Sequence, residues 1–278
     1  MKGIIDYNDQ NVTFLAGNEF SSNNIQTGIL GTVFGIAQTS GVTVSSALSD
    51  NSRYPYFSRS SSSSEGQVIV LTEALLHYKT LTKCNCWSSI ALVTSTNPYG
   101  VDLAENFIEK THGKGIDILT YQQFLFRGPV DRGLASDYDV ELREILNSGA
   151  RVIVHFIYYA PWSTFIRAAN EYGLVGDDYV WFTGSALTGT ADFSFLEEDV
   201  LELSHGMVGI FDYFPQDSKI YHEFVSRWGL LDPIEFPGAG NGNHPHYHAQ
   251  MGYDFIFVVA KTIEKLYATG KLYQERIP

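Results

Sequence analysis

Two adjacent serines occupy the position in this sequence best suited to bind an anion. Ser21 and Ser22 stand where a predicted strand (Asn11–Ala16) passes into a predicted helix (Asn23–Gln38). Backbone N–H groups in the first turn of a helix are free to bind a carboxylate, and the partial positive charge of that terminus adds to the attraction. The same serines could instead only cap the helix, because serine is a preferred N-cap residue.

Strands and helices alternate along the rest of the chain, which predicts parallel βαβ units in an α/β fold. Strands are predicted at Val42–Ser46, Ser88–Val93, Ile116–Tyr121, Arg151–Phe156, Tyr179–Thr183 and Val208–Phe211. Helices are predicted at Gly66–Tyr78, Val101–Thr111, Asp137–Asn147, Ala160–Tyr172, Gln216–Trp228 and Tyr247–Tyr267.

Parallel sheets bind ligands beyond the carboxyl ends of their strands, in the loops that open the helices. This rule nominates four places for a site: Ser21–Ser22, Val44–Ser46, Thr96–Gly100 and Tyr158–Trp162. Tyrosines in such loops offer an aromatic face to a ligand cation and a hydroxyl to a ligand anion.

Composition excludes several classes of function. The 278 residues are enough for two domains of ordinary size. The net charge of −13 argues against a nucleic-acid partner and against electrostatic binding to an anionic membrane. No run of about twenty apolar residues predicts a membrane span, and the N-terminus lacks the apolar region of a signal peptide. No catalytic motif is found, so neither an enzymatic activity nor a cofactor is predicted.

The cysteines and the clustered histidines give no metal prediction. Cys84 and Cys86 are one residue apart, which suits neither a disulfide between them nor a zinc site, so their redox state stays open. His244, His246 and His248 alternate on one segment and could meet a zinc ion, but no clear fourth ligand lies nearby. No metal site is predicted.

Two blocks resemble the receptor family ligand-binding region, which has the bilobed periplasmic-binding (type I, Venus flytrap) fold. ALSDNSRYPYFSR (Ala47–Arg59) is similar to the family block ALSD-x-x-x-(Y/F)P-x-F-x-R. ARVIVHFIYYAPWSTFIRAANEYGLVGDDYVWF (Ala150–Phe182) resembles the other lobe, most closely in the class C, GABA-B-like branch. The blocks occur in the order and at the spacing of that family.

The resemblance implies two Rossmann-like lobes with parallel sheets. Residues 1–81 and 213–278 are expected to form lobe 1, and residues 82–212 lobe 2. No counterpart of the first βα units of the family precedes Met1, so lobe 1 is expected to be incomplete, with its N-terminal part truncated.

The resemblance also implies site residues. Ser21 corresponds to a serine that holds a ligand carboxylate, with Ser22 beside it, while the second carboxylate-binding hydroxyl falls on Val44 and only a shifted turn would bring Ser45 into its place. Tyr99 and Tyr158 fall on tyrosines that line the ligand pocket in the glutamate and GABA branches. His248 replaces the acidic residue that neutralises the ligand amine in the GABA branch, which favours a carboxylate-rich or non-amino-acid ligand, or none.

The function implied is that of a ligand-sensing domain of a membrane receptor, signalling as in GABA-B-like G-protein-coupled receptors. Its ligand is expected to be a small amino-acid-like molecule or related carboxylate, and two copies are expected to pair through lobe 1. The domain is then expected at the extracellular face of the plasma membrane, as part of a larger receptor. Two alternatives stay open: a receptor guanylate cyclase ectodomain or soluble amino-acid-binding transport component, and a truncated remnant that binds nothing.

Overall fold

Three short parallel strands near the start of the chain form one sheet, the small sheet. The computed structural model describes residue 12 and residues 14–82, 85–128, 133–188 and 196–270. The strands lie side by side in chain order. They are β1 (Phe14–Ala16), β2 (Ala37–Ser40) and β3 (Phe57–Arg59).

Five parallel strands form a second sheet, the large sheet, in the order β5-β4-β6-β7-β8. The order reverses at β4, which pairs with β5 on one side and β6 on the other. Such a reversal is the position at which doubly wound sheets bind their ligands. The strands are β4 (Ser89–Ser95), β5 (Asp117–Phe124), β6 (Val152–Phe156), β7 (Val180–Thr183) and β8 (Val208–Gly209).

Helices join the strands, so the fold is α/β with parallel sheets. They are α1 (Ser21–Phe34), α2 (Ser64–Thr82), α3 (Pro98–Thr111), α4 (Asp139–Ser148), α5 (Tyr159–Glu171), α6 (Ser185–Thr188), α7 (Glu198–Leu203), α8 (Lys219–Trp228) and α9 (Tyr247–Ala268). Single 3₁₀ turns occur at Ser46–Ser49, Asn85–Ser88 and Ala135–Tyr138. Within the described residues, no helix combines the length and the apolar character needed to cross a bilayer.

The core lies on both faces of the large sheet. Successive side chains of a strand point to opposite faces, and β4 follows this rule with fully buried residues. Ile90 and Leu92 pack in the cluster that contains α2 and α3 side chains. Ala91 and Val93 pack in the cluster formed with α4 and α5. The large sheet thereby holds the starts of α3 and α5 in fixed positions.

The start of the small sheet differs from the sequence prediction. The helix was expected to run to Gln38 and the next strand to begin at Val42, but α1 ends at Phe34 and β2 spans Ala37–Ser40. Gly35 ends the helix because it adopts the left-handed conformation, with φ of 64°, which glycine enters without steric cost. Of the predicted strand Asn11–Ala16, the structure describes Phe14–Ala16 as β1, and Asn11 lies outside the described residues.

The lobe boundaries stay a prediction, although the packing of α2 favours placing the first boundary earlier than residue 81. α2 was assigned to lobe 1 up to residue 81. Its Val68, Leu71 and Leu75 are fully buried in the same cluster as Leu92 of the large sheet. The packing therefore favours a crossover before Ser64.

Candidate functional site

A cavity of about 300 Å³ opens between the small sheet and the large sheet. Its wall combines the loop before α1, the loop after β2 and the first residues of α3, α5, α6 and α9. This volume lies at the lower end of the range for small-molecule pockets. The described residues that line the cavity are Glu19, Phe20, Ser21, Val42, Val44, Tyr99, Tyr158, Tyr159, Ser185, Ala186, His246, Tyr247 and His248.

Two tyrosines stack on the large-sheet side of the cavity. Tyr99 belongs to the first turn of α3, and Tyr158 immediately precedes α5. Their ring centroids are 4.9 Å apart with planes 25° from parallel, and the edge of Phe20 meets Tyr158 at 5.7 Å. The helices follow β4 and β6, the neighbours at the strand-order reversal. The fold therefore brings together two residues that are 59 positions apart.

The approach of α3 to the sheet depends on a glycine and an asparagine cap. The Asn97 side chain accepts a hydrogen bond from the Gly100 backbone N–H at 2.8 Å, and Pro98 occupies the first turn. A Cβ at Gly100 would lie 2.7 Å from the Ser95 carbonyl oxygen and 3.0 Å from that of Phe156. Only glycine lets the first turn of α3 sit this close to β4 and β6.

The Tyr99 hydroxyl takes part in a hydrogen bond within the fold. It accepts a hydrogen bond from the Ala186 backbone N–H at 3.1 Å, which ties α3 to α6. Burial raises the pKa of Tyr99 far above its ordinary value, so the phenol stays protonated. Burial also raises the pKa of Tyr158, and nearby negative charge adds to this effect.

Ser21 lines the cavity, but its hydroxyl is already engaged. The residue is 2% exposed. Its Oγ lies 3.0 Å from Thr43 Oγ1 and accepts a hydrogen bond from the Ser45 backbone N–H at 3.4 Å. These contacts join the start of α1 to the loop after β2.

The other predicted hydroxyl residues are not among the residues that line this cavity. Ser22 lines a separate cavity of about 170 Å³ beside it, together with Asn97, Phe126 and Tyr158. Ser45 is buried, and its backbone N–H donates a hydrogen bond to Ser21 Oγ. Val44 does line the cavity, so an apolar side chain stands where the resemblance implies a hydroxyl.

His248 lies at the start of α9, next to a carboxylate that was not predicted. Its Nε2 is 3.3 Å from Glu19 Oε1. Burial lowers the pKa of His248 to about 4, and His246 adds to the effect. At neutral pH the imidazole is therefore uncharged and can donate a hydrogen bond to Glu19 rather than form an ion pair with it.

Among the cavity residues that were not predicted from the sequence are Glu19 and Tyr247. Burial raises the pKa of Glu19, and the charge of Glu19 contributes to the raised pKa values of Tyr158 and Tyr247. The Glu19 carboxylate is therefore close enough for its charge to act on both tyrosines. The signal for Glu19 was present in the sequence, because it is two residues before Ser21 in a loop that follows a strand.

Polar contacts also join the small-sheet side to α3 outside the cavity. The Asp102 carboxylate accepts hydrogen bonds from the Ser46 backbone N–H at 2.9 Å, from the Ser46 hydroxyl and from the Ser64 hydroxyl. Arg59 is near enough for the charge of Asp102 to act on its pKa. Asp102, at the start of the second turn of α3, thus links α3 to the loop after β2 and to the first residue of α2.

The clustered histidines do not converge on a metal position. His244 Nε2 lies 3.1 Å from the Tyr221 hydroxyl, whereas His246 and His248 line the cavity. Over the part of the chain that the structure describes, there is no group of three or more His, Cys, Asp or Glu side chains that could hold a metal ion. Cys84 lies outside the described residues, as does the side chain of Cys86.

Comparison with known proteins agrees with the parallel-sheet fold. The chain is 24% identical to metabotropic glutamate receptor-like protein E of Dictyostelium discoideum over 266 residues, which cover 93% of the chain and 30% of that protein. It is 26% identical to glutamate receptor 2.3 of Arabidopsis thaliana over 181 residues, covering 65% of the chain and 18% of that protein.

A third relative, the probable metabotropic glutamate receptor mgl-1 of Caenorhabditis elegans, is 29% identical over 148 residues, with 53% of the chain and 14% of that protein covered. The chain thus spans less than a third of the length of each of these relatives. The model of the receptor family ligand-binding region matches residues 12–276. Since this match covers almost all of the sequence, the chain belongs to the receptor family ligand-binding region.

Proposed function

We propose that this chain is the ligand-sensing domain of a membrane receptor and that it binds a small amino-acid-like molecule in the cavity between the two sheets. The observation that carries the proposal is the composition of the cavity wall. Phe20, Ser21 and Val44 come from the small-sheet side, and Tyr99 and Tyr158 come from the large-sheet side. A ligand in this cavity touches both halves of the fold at once.

Such a ligand would transmit its binding by closing the cavity. A ligand shifts a conformational equilibrium only by its difference in affinity for the two states. Contacts with both sides exist only when the sides are close together, so an occupied cavity favours the closed form. The signal to the rest of a receptor would be the changed relation of the two sheets.

The receptor class is part of the proposal. The relatives named as metabotropic glutamate receptors support a place among class C receptors, and Tyr158 in the cavity wall agrees with the GABA-B-like pattern read from the sequence. We include in the proposal an extracellular position and the pairing of two domains. The domain acts by binding, and the relatives are receptors rather than enzymes.

Thermal unfolding with a ligand panel tests the proposal. The panel contains the standard amino acids, GABA, dicarboxylates and simple amines. A ligand present at 100 times its Kd stabilises the folded state by about 2.7 kcal/mol, which raises Tm by several degrees. The proposal predicts at least one such shift.

Replacing Tyr158 tests whether the ligand binds in this cavity. Tyr158→Ala removes the ring that stacks on Tyr99, so we expect the affinity for the ligand to fall about tenfold or more. The control is Tyr267→Ala, since Tyr267 is 67% exposed and lies about 30 Å along α9 from Tyr247. A panel without any shift, or equal affinity in wild type and Tyr158→Ala, would contradict the proposal.

A further inference from the structure

The charge of the cavity wall is negative. Glu19 is the one carboxylate among the described lining residues, and none of those residues is Lys or Arg. The only described ion-pair contact of Glu19 is with His248, which is uncharged at neutral pH. A ligand with two carboxylates would meet this charge without a cationic side chain to neutralise it.

The hydroxyl expected to receive a ligand carboxylate is used by the protein itself. Ser21 Oγ accepts from the Ser45 N–H and shares a hydrogen bond with Thr43 Oγ1, and the residue is buried. The corresponding position in the loop after β2 is Val44, which has no polar atom in its side chain. These two positions therefore offer little to a ligand carboxylate.

The aromatic rings and the carboxylate of the cavity wall are groups that attract a cation. The rings of Tyr99 and Tyr158 stack at 4.9 Å, and the ring of Tyr247 lies 4.0 Å from that of His248 at the edge occupied by Glu19. Aromatic faces attract cations through the ring quadrupole, most strongly where water is excluded. The Glu19 side chain is 45% exposed, so it stands at the rim, where it can meet the charged end of a ligand.

We propose that the ligand of this cavity is a small organic cation, an amine on an aromatic or apolar body, with Glu19 as its counter-ion. The body lies against the tyrosine stack, and the ammonium group lies between Glu19 and Tyr247. A volume of about 300 Å³ corresponds to about ten water molecules, which suits a single ring with a short amine chain. The inference rests on one part of the proposed function, namely that the cavity binds a ligand, and it replaces the amino-acid-like ligand with an amine that needs no carboxylate.

Two probes with the same body and opposite charge test it by calorimetric titration of the whole chain at neutral pH. 2-Phenylethylammonium and 3-phenylpropionate share a phenylethyl body and differ in the sign of their charge. L-Glutamate is added as a third probe that represents the dicarboxylates. We expect wild type to bind the ammonium at least about tenfold more tightly than either anion. Glu19→Gln is expected to weaken ammonium binding about tenfold or more, because a charge-assisted hydrogen bond is lost.

The control variant is Glu105→Gln, which removes an exposed carboxylate on α3 and should leave all three affinities unchanged. Equal ammonium affinity in wild type and Glu19→Gln would overturn the inference. If L-glutamate binds more tightly than the ammonium, and Tyr158→Ala weakens it, the ligand class is wrong while the proposed function stands. Absence of binding by every probe and by the whole amino-acid panel contradicts both.

Discussion

His155 makes the stability of the large sheet sensitive to acid. The side chain is fully buried on β6, and neither ring nitrogen has a hydrogen-bond partner among the residues that the structure describes. Its ring stacks on Trp162 at 4.2 Å and meets the edge of Trp181 at 5.8 Å. Burial lowers the pKa of His155 from 6.5 to about 3, because a protonated imidazole would lose its hydration without a counter-ion.

The sign and the size follow from proton linkage. The unfolded chain binds the His155 proton more readily than the folded protein, so stability is fully present above pH 6.5 and falls as the pH drops towards 3. Each pH unit in this window costs about 1.4 kcal/mol. Between pH 6.5 and 5.0, His155 alone should remove about 2 kcal/mol of unfolding free energy, a large share of the stability of an ordinary domain.

The assay compares wild type with His155→Phe by urea unfolding at several pH values from 5.0 to 7.5. Phenylalanine keeps the stack on Trp162 and has no titrating group. The difference in unfolding free energy between the two proteins at neutral pH is not decisive. Removing the unpaired nitrogens should stabilise the fold by roughly 1–3 kcal/mol, and fitting the larger phenyl ring should destabilise it by about as much. The pH dependence of the difference is decisive, because all other titrating groups are shared.

Between pH 6.5 and 5.0, we expect the unfolding free energy of His155→Phe to rise by about 2 kcal/mol relative to that of wild type. The fluorescence of Trp162 and Trp181 reports on this region directly, and circular dichroism shows whether unfolding is two-state. His205→Gln is the control, because that side chain is exposed and loses little water on folding. Parallel curves for wild type and His155→Phe across the pH range would refute the reasoning.

Two further variants test the contacts that hold the cavity in shape. Asp102→Asn weakens charge-assisted hydrogen bonds between Ser46 and α3, so we expect a loss of about 1.5–3 kcal/mol of unfolding free energy and a larger radius of gyration by small-angle X-ray scattering. Glu105→Gln is its control, and equal radii would contradict the anchoring role. Gly100→Ala forces its Cβ against backbone carbonyls and should cost about 1–3 kcal/mol or more in denaturant unfolding. Gly66→Ala, whose Cβ meets no atom closer than 3.8 Å, should be neutral or stabilising, and similar unfolding curves for both alanine variants would refute the steric argument.

The large sheet could be predicted because its strands are apolar and its helices are periodic. The predicted strand Arg151–Phe156 is β6 (Val152–Phe156) within one residue. β2 could not be found in this way, because its buried residues are polar. Gln38 is 2% exposed and donates from Nε2 to Asn24 Oδ1 at 2.6 Å, and Ser40 is fully buried. Hydrogen bonding to α1 replaces the apolar pattern that would have marked the strand.

The candidate site was predictable in its large-sheet half. The rule that ligands bind beyond the carboxyl ends of strands nominated the loops that contain Tyr99 and Tyr158, and both residues line the cavity. Which side chain of a loop faces the cavity depends on tertiary contacts that leave no periodic trace. This explains why Ser45 was chosen for its hydroxyl although it faces inward, and why Glu19 was overlooked.

Under the closure mechanism proposed above, the positions of Glu19 and of the tyrosine stack decide which ligands could act as signals. Tyr99 and Tyr158 are fixed to the large sheet through the starts of α3 and α5. Glu19 belongs to the loop between β1 and α1 on the small-sheet side. A ligand that touched the stack alone would bind open and closed forms equally and would shift nothing, however tightly it bound. An amine that bridges the stack and Glu19 gains its charge contact only in the closed form. Glu19→Gln should therefore lower the affinity for 2-phenylethylammonium. It should also lower the fraction of closed protein that a saturating concentration of this amine produces.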